Sequence, residues 1–515
     1  MPVFTRVIAD TYRDSVALMQ LSASLKAVAG VEEASAIMAT AGNIALLAEV
    51  GLVDAALAPR PSDLLVVVRA KSEAAANAAV AKVEAALQAK APATSAGGAV
   101  GEAPPRSIAM AAGATPGANL ALISVPGEYA AAEAGKALAA GLNVMLFSDN
   151  VAVADEIALK RAAANRELLV MGPDCGTAII DGVPLAFANK VRRGAIGCVA
   201  ASGTGLQQVT ALVDRLGAGV SQAIGTGGRD LKEEVGGLTM LAGLEALASD
   251  RETKVVVLIS KPPAPAVAAK VLAAAAKAKK PVVVCFVGAA PGKLPGRNLH
   301  PVRTLEDAAR GAVALARGRK PPKAAGAPRP GKGVPRLAHG QRYVRGLFSG
   351  GTFCYEASLL LGEALGQVWS NAPVRHEDEL DDPFKSRGHT VIDLGDDVFT
   401  RGRPHPMIDH RLRNERMVRE ARDPEVAVIL FDVVLGYGSH PDPAAEMAPA
   451  IAAARGAAAK RKRRIAFVGA VCGTEADPQG LVRQEAALAK AGVILGSSNA
   501  EAVRIAAAIA KRGGK

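Results

Sequence analysis

Two stretches of this chain set serine, threonine and glycine between an apolar strand and a helix: Ser202-Gly203-Thr204-Gly205 after GCVAA, and Ser349-Gly350-Gly351-Thr352 after GLF. A strand that turns so sharply into a helix leaves backbone N–H groups unpaired at the helix N-terminus, where the helix dipole also favours negative charge. Phosphate is the natural ligand of such a turn. Ordinary N-capping by Ser and Thr, with glycine for tightness, uses the same residues. The recurrence weighs toward phosphate while leaving N-capping open, because each copy opens one α/β unit and the two read as equivalent positions in related folds.

Other loops also end apolar strands. MGPDCGTAII, Met171 to Ile180, closes a strand in Gly172-Pro173-Asp174-Cys175, at the carboxyl edge of a parallel sheet where ligands bind. Cys175 has the chemistry of a nucleophile, but no histidine lies near it in sequence, so it reads as a structural loop residue. Gly225-Thr226-Gly227-Gly228-Arg229-Asp230 joins glycines to a cation, which suits either an anion loop or a simple turn. The seven histidines, His300, His339, His376, His389, His405, His410 and His440, form no HxH or HxxxH pair, so no metal site is expected. Asp393-Leu-Gly-Asp-Asp397 followed by Gly402 to Asp409 (GRPHPMID) concentrates carboxylates, Arg403 and His405 in a Gly/Pro loop suited to a polar ligand or a partner subunit. Tyr437 to Asp442 and Gly473 to Pro478 sit at strand ends in the same way.

The elements that must position these residues follow from composition and period. A chain of 515 residues exceeds what one hydrophobic core serves, so several domains are expected. Half of it is apolar but only 3% is aromatic; alanine and valine dominate, as in helices layered on parallel sheets, and an all-β sandwich is excluded. Residues 1–90 read as a small βαβ-βαβ domain of ferredoxin or ACT type, and Ala91 to Pro105 as a linker. From Leu120 strands and helices alternate regularly, through LALISVPG, NVMLFSD and ELLVMGPD, which specifies a helix-covered parallel sheet. Three α/β units are therefore expected, at 106–190, 191–316 and 337–515, with a Pro/Lys/Gly linker at Arg317 to Gly333.

The net charge of +12 is scattered, apart from one run at Lys460 to Arg464 that reads as a solvated helix end. No nucleic-acid signature accompanies it, and the excess suits a small anionic substrate. The five cysteines lie far apart without a CxxC spacing, against a zinc site or a disulfide framework and in favour of a reducing compartment. The N-terminus lacks a basic start with an apolar run, and no uncharged apolar stretch of about 18 residues occurs. A cytoplasmic protein without membrane contact is expected.

MGPDCGTAIIDGVPLAFAN, GCVAASGTGLQQV, SQAIGTGGRDLKEEVGG, FSGGTFCYEA and GRPHPMID together resemble the FdrA family over essentially the whole chain. More distantly, Leu120 to Gly288 is similar to the α subunit of succinyl-CoA synthetase, whose GPNC and SGT loops occupy the places of Gly172 to Cys175 and Ser202 to Thr204. The last unit resembles that enzyme's CoA-ligase domain. The resemblance implies a Rossmann-like CoA-binding-type unit followed by flavodoxin-like units, and a phosphate held between two facing helix N-termini that in the synthetase stabilise a phosphohistidine.

Three departures stand out. The synthetase's first Rossmann strand and its glycine loop for CoA are missing, so CoA binding is expected to be weak or absent. The glycine-flanked histidine expected after PVVVCFVGAAPGK is replaced by Leu-Pro-Gly-Arg-Asn, with His300 displaced from it. The carboxylate one turn into the first phosphate helix appears as Gln208, whereas Glu356 keeps that place in the second. Glu356, His300 and His405 remain as catalytic candidates.

No ATP-grasp region is visible, so a nucleotide would act only through a partner subunit. FdrA-type proteins are implied to work in an oligomer with other subunits as an oxamate carbamoyltransferase of allantoin catabolism, which phosphorolyses oxalurate to oxamate and carbamoyl phosphate. Phosphate is then a substrate, and backbone N–H donors can serve both phosphate and oxyanion. An acyl-CoA synthetase working through an acyl phosphate and phosphohistidine is the alternative, and a non-catalytic scaffold subunit is a third reading.

Overall fold

Runs of β-branched residues such as VVVLIS, Val255–Ser260, and VAVILFDVV, Val426–Val434, are buried along their whole length, as strands covered on both faces must be. The computed structural model describes residues 2–13, 15–49, 51–54, 57, 59–88, 105–289, 294–324, 326, 334–401 and 403–513. Nearly all of the Ala91 to Pro105 linker, residues 325 and 327–333 of the second linker, the end of PVVVCFVGAAPGK and Gly402 lie outside the described residues.

The described strands form four sheets. In the first, Leu64–Ala70 lies between Val3–Ile8 and Val31–Met38 and is antiparallel to both. The outer strands therefore run parallel and are joined by the crossover helix Ser15–Lys26, a split βαβ unit; among the described residues the order is βαβαβα with three strands, not the four of the expected βαβ-βαβ domain. Leu18, Leu25, Val66, Val68 and Val83 form its core. The second sheet is small and parallel, with Leu120–Ile123, Asn143–Leu146 and Val170–Met171 linked through the helices Gly127–Ala139 and Val153–Ala164.

The third sheet has seven strands in the order Leu299–Pro301, Val282–Phe286, Val255–Ser260, Arg193–Ala200, Val220–Gly225, Thr177–Ile180 and Val183–Ala186. The first five run parallel, and the last two form a hairpin laid antiparallel against Val220–Gly225. Asp181 and Gly182 turn that hairpin with φ of 52° and 81°, the mirror-image turn geometry that matches strand twist. By sequence the hairpin falls within 106–190, yet it pairs with the sheet of the following unit and covers what would otherwise be an open edge. The Gly172–Gly176 reversal is thus the passage from the second sheet to the third.

The fourth sheet is wholly parallel, in the order Val368–Ser370, His389–Asp393, Tyr343–Phe348, Val426–Val434, Ala466–Cys472 and Val493–Gly496. Between the third and fourth sheets lie the helices Gly203–Arg215, Leu305–Ala316, Gly351–Leu365 and Asn499–Gly513, each packed against others of the set. One continuous core, including Leu206, Val209, Ala309, Phe353, Ala357 and Val503, runs through this layer into both sheets. That sharing brings the two glycine turns together, because each opens a helix of the layer.

At the basic run, the helix Pro443–Ala459 ends before Lys460, and Arg463 turns inward to donate to the carbonyls of Ala421, Arg422 and Asp423. Those carbonyls belong to the C-cap of the helix Arg411–Glu420 and the two residues after it, so this cation lies at a helix C-terminus. No helix of the described residues is long and apolar enough to cross a membrane.

Candidate active site

Ser202 is the N-cap of the helix that starts at Gly203: its Oγ accepts the Gly205 N–H at 2.9 Å and lies 2.6 Å from Thr352 Oγ1 of the facing helix. The two helix starts therefore touch directly. A Cβ at Gly350 would stand 2.8 Å from Thr204 Cγ2, so only glycine permits this approach. The turns are not equivalent in detail, however. The second helix starts at Gly351 with Gly350 as an N-cap that has no side chain to offer, and the Ser349 hydroxyl accepts from Arg413 instead of capping the helix. The Gly-Gly pair shifts the helix start by one residue relative to Ser202-Gly203.

Asp432 fills part of the second turn. Its carboxylate accepts the N–H groups of Ser349 at 2.8 Å and Gly350 at 2.9 Å. Arg413, fully buried, donates to Asp432 Oδ1 at 3.0 Å, to its carbonyl at 2.6 Å and to Ser349 Oγ at 2.9 Å. The donors left for a ligand are the first N–H groups inside each helix, at Gly203 and Thr204 and at Gly351, Thr352 and Phe353. Neither Asp432 nor Arg413 was legible as a site residue, although a carboxylate inside VAVILFDVV is the signal that could have found one.

Next to these donors stand three side chains from other loops. A Cβ at Gly351 would lie 2.5 Å from Asp393 Oδ2 and 3.7 Å from Lys261 Nζ, and one at Gly395 would lie 2.9 Å from His405 Nε2. Burial pushes Asp393 up to about 6, against the opposing pull of Lys261 and the Gly395 N–H. Burial also pushes His405 down to about 4, although its ring remains partly accessible at the floor of the cleft. Its Nδ1 accepts the Met407 N–H at 3.2 Å, so the neutral ring carries its proton on Nε2 and can donate from there. The first domain reaches this loop, since Arg403 pairs with Glu33 at 3.3 Å.

The Gly172–Cys175 and Gly227–Arg229 loops pack on one another. Gly227 has φ +84° and no room for a Cβ against the Pro173 carbonyl, and a Cβ at Gly228 would lie 3.6 Å from Asp174 Oδ2. Arg229 is occupied, donating to Glu156 at 3.0 Å and to the Val151 carbonyl at 2.8 Å. Behind it Lys160 joins Glu156, Asp230 and the Thr226 carbonyl in a buried network. Asp174 is exposed in the cleft; desolvation, then the charges of Asp149 and Asp397, push it up to about 6. Cys175 is buried, and burial pushes its thiol up to about 12, so the sulfur stays protonated and packs the loop.

The first helix start is linked to these loops through Thr177 and Phe187. A Cβ at Gly203 would lie 3.2 Å from Thr177 Oγ1, which donates to the Phe187 carbonyl, and the Phe187 and His405 rings are 6.0 Å apart. A cavity of about 530 Å³ is lined by Tyr12 and Gln20 of the first domain, Leu122 of the second sheet, Phe147 just after its middle strand, and Phe187 and Gly438.

Two catalytic candidates are placed elsewhere. Glu356 is wholly buried, with one oxygen accepting the Leu305 N–H at 2.9 Å and the other the Asn499 amide at 2.8 Å; it ties three helices of the central layer together. His300 lies on the edge strand Leu299–Pro301, three strands from Arg193–Ala200 and so about 14 Å from it by strand spacing. The Gly473 to Pro478 loop anchors the chain between the large sheets, Asp477 accepting from Asn189, Lys190 and Thr474.

The structure also gathers His410, His440 and Glu446, whose ligand atoms lie within 4.8 Å of one another. Their tautomers do not suit a metal. His440 Nδ1 accepts the Asp442 N–H at 3.0 Å, and His410 Nδ1 accepts from Arg413 at 2.7 Å, so in both rings the proton falls on Nε2, the nitrogen a metal would need bare. His440 Nε2 instead meets Glu446 at 2.7 Å.

Parallel α/β sheets joined through a shared helix layer, with paired glycine turns at its helix starts, define a CoA-ligase-like class of protein. Family models match accordingly: "CoA-ligase" at residues 347–509, "CoA binding domain" at 192–288 and "AllF, heavy metal-associated domain" at 1–104. The chain is 46% identical over 495 residues to the protein YahF of Escherichia coli (strain K12), covering 95% of each. It belongs to the FdrA family. It is also 30% identical over 151 residues to the succinate–CoA ligase [ADP-forming] subunit alpha of Staphylococcus epidermidis, covering 28% of this chain and 48% of that subunit. Among solved structures it aligns with a dinucleotide-forming acetyl-coenzyme A synthetase 1 of Ca. Korarchaeum cryptofilum, determined with phosphate and ADP, at 14% identity and a TM-score of 0.31, covering 77% of this chain and 83% of that one. Residues 1–104 contain neither cysteine nor histidine, so thiolate and imidazole ligands are lacking from the segment matching the heavy-metal-associated model.

Proposed function

We propose that this chain is the phosphate-handling subunit of an oxamate carbamoyltransferase, in which inorganic phosphate attacks the carbamoyl carbon of oxalurate and releases oxamate and carbamoyl phosphate. The observation that carries the reading is the 2.6 Å contact between Ser202 and Thr352, which joins two helix N-termini within one chain. Phosphate sits over the open N–H groups of Gly203, Thr204, Gly351 and Thr352, where dipole and donors act together. His405, neutral and donating through Nε2, stabilises charge developing on the carbamoyl oxygen. The Gly172–Cys175 and Gly227–Arg229 loops form the substrate wall opposite, and other subunits complete the assembly.

An acyl-CoA ligase is the second reading, favoured by the CoA-ligase and CoA-binding matches. It requires a histidine that can be phosphorylated. His405 Nε2 bears the ring proton and His300 lies on a distant edge strand, so neither is poised as a nucleophile. The test is carbamoyl phosphate formation from oxalurate and phosphate by the chain with its partner subunits, run beside calorimetry of CoA against the chain alone. Turnover without CoA affinity supports carbamoyl transfer. Micromolar CoA binding together with phosphohistidine in the isolated protein would replace it by the ligase.

A further inference from the structure

Lys261 follows the strand Val255–Ser260, whose Ile259 carbonyl accepts the Ala201 N–H beside the first turn. Its ammonium group is thereby carried from the third sheet to the helix start of the fourth, 3.7 Å from where a Gly351 Cβ would be. Tyr355, one helical turn further, lies under the same ammonium at 5.8 Å from its ring centroid. Lys261 is exposed in the cleft, so it does not support the core. Asp393 approaches the same point from the other sheet. It is only 8% exposed; Oδ1 accepts the Gly395 N–H at 2.9 Å, while Oδ2 has no hydrogen-bond partner among the described residues and is aimed at Gly351. A mostly buried carboxylate with one oxygen unpaired beside a helix N-terminus, and a cation near the same point, is a site prepared for a ligand that brings its own proton.

We infer that Lys261 binds the phosphate dianion over the Gly351 helix start and that Asp393 takes the phosphate's proton as it attacks. The inference rests on the phosphate reading above and names two groups that act on it. Hydrogen phosphate enters with one proton; its oxygen forms the new bond to the carbamoyl carbon while the bond from that carbon to the amide nitrogen breaks. The proton passes to Asp393 Oδ2 and then to the departing nitrogen, so the reaction balances without any further reactant. The groups facing Asp393 are Lys261, which favours its ionised form, Asp396 and Asp432, which oppose it, and the neutral His405 across Gly395.

The test is titration of the purified full-length chain with inorganic phosphate, followed by phosphorus NMR, for wild type, Lys261→Ala, Lys261→Arg and Asp393→Asn. Loss of one charge-assisted contact should weaken phosphate binding by about tenfold or more in Lys261→Ala, and Lys261→Arg should restore most of it. Asp393→Asn should bind phosphate at least as well as wild type, because a negative charge beside the dianion is gone, while the complete complex loses turnover. Equal phosphate affinity in wild type and Lys261→Ala would overturn the Lys261 assignment and leave the helix-start site standing. Wild-type chain that takes up no phosphate would overturn both, and Asp393→Asn with full turnover would remove the proton role.

Discussion

Asp432 closes the Ser349 turn from beneath: both of its carboxylate oxygens are engaged by the Ser349 and Gly350 amides, and Arg413 bridges the same carboxylate to the Ser349 hydroxyl. An internal anion thus occupies the outer half of the second turn, and an external one must bind further in, at Gly351 and Thr352. Removing it should cost stability first. In Asp432→Ala the buried Arg413 guanidinium keeps its bonds to the Ser349 hydroxyl, the residue-432 carbonyl and His410 but loses the carboxylate it pairs with, a loss of about 3–5 kcal/mol on the scale of broken buried pairs. Urea unfolding of the two chains gives the value; a change below about 1 kcal/mol would mean that Arg413 finds another partner.

The helix-start contact predicts a steric effect. A side chain at Gly350 meets Thr204 at 2.8 Å and Phe353 at 2.9 Å, so Gly350→Val should push the two helices apart. Overpacking of this kind costs about 1–3 kcal/mol, and losing one preorganised donor about a hundredfold in rate. Turnover of the complete complex, normalised to folded protein by circular dichroism, measures it.

Cys175→Ser should retain turnover within a few-fold. The buried thiol is held protonated, donates to the Thr177 carbonyl at 3.6 Å and packs with Cβ near Gly172 and sulfur near Gly225. Abolished turnover in a folded Cys175→Ser chain would put a covalent cysteine step in place of the phosphate cradle.

Glu356 makes stability depend on pH. Burial raises its carboxyl from 4.5 to about 7. Between those values the folded chain holds a proton that the unfolded chain has released, so stability falls as pH rises through that window and levels off above it. Glu356→Gln should flatten that part of the profile. Thermal midpoints of both chains from about pH 5 to about pH 8 decide the matter; parallel curves would show that Glu356 is ionised in the fold.

The sequence made the elements legible because its strands are long, β-branched and regularly spaced, and the recurrence of Ser-Gly turns pointed to one cleft. Side-chain partners were less legible. Glu356 occupies the position of a catalytic carboxylate along the helix, yet which face it presents depends on the packing of Leu305–Ala316 and Asn499–Gly513, which no local pattern encodes. Lys261 and Asp393 lie 132 positions apart and meet only because the third and fourth sheets share a helix layer. His410 and His440 were unpaired by spacing for the same reason, and the proton positions that disqualify them as metal ligands come from Arg413 and the Asp442 backbone. The hairpin at Thr177–Ala186 crossed to the next sheet because strand pairing is settled by the exposed edge of Val220–Gly225.

The most direct test of the account is a crystal structure of the chain grown or soaked with inorganic phosphate. The account predicts a phosphate between the two helix starts, within hydrogen-bond distance of the Gly351 and Thr352 amides and of Lys261 Nζ, with Asp393 beside it. Phosphate bound elsewhere, with the Ser202–Thr352 junction empty at saturating concentration, would contradict it.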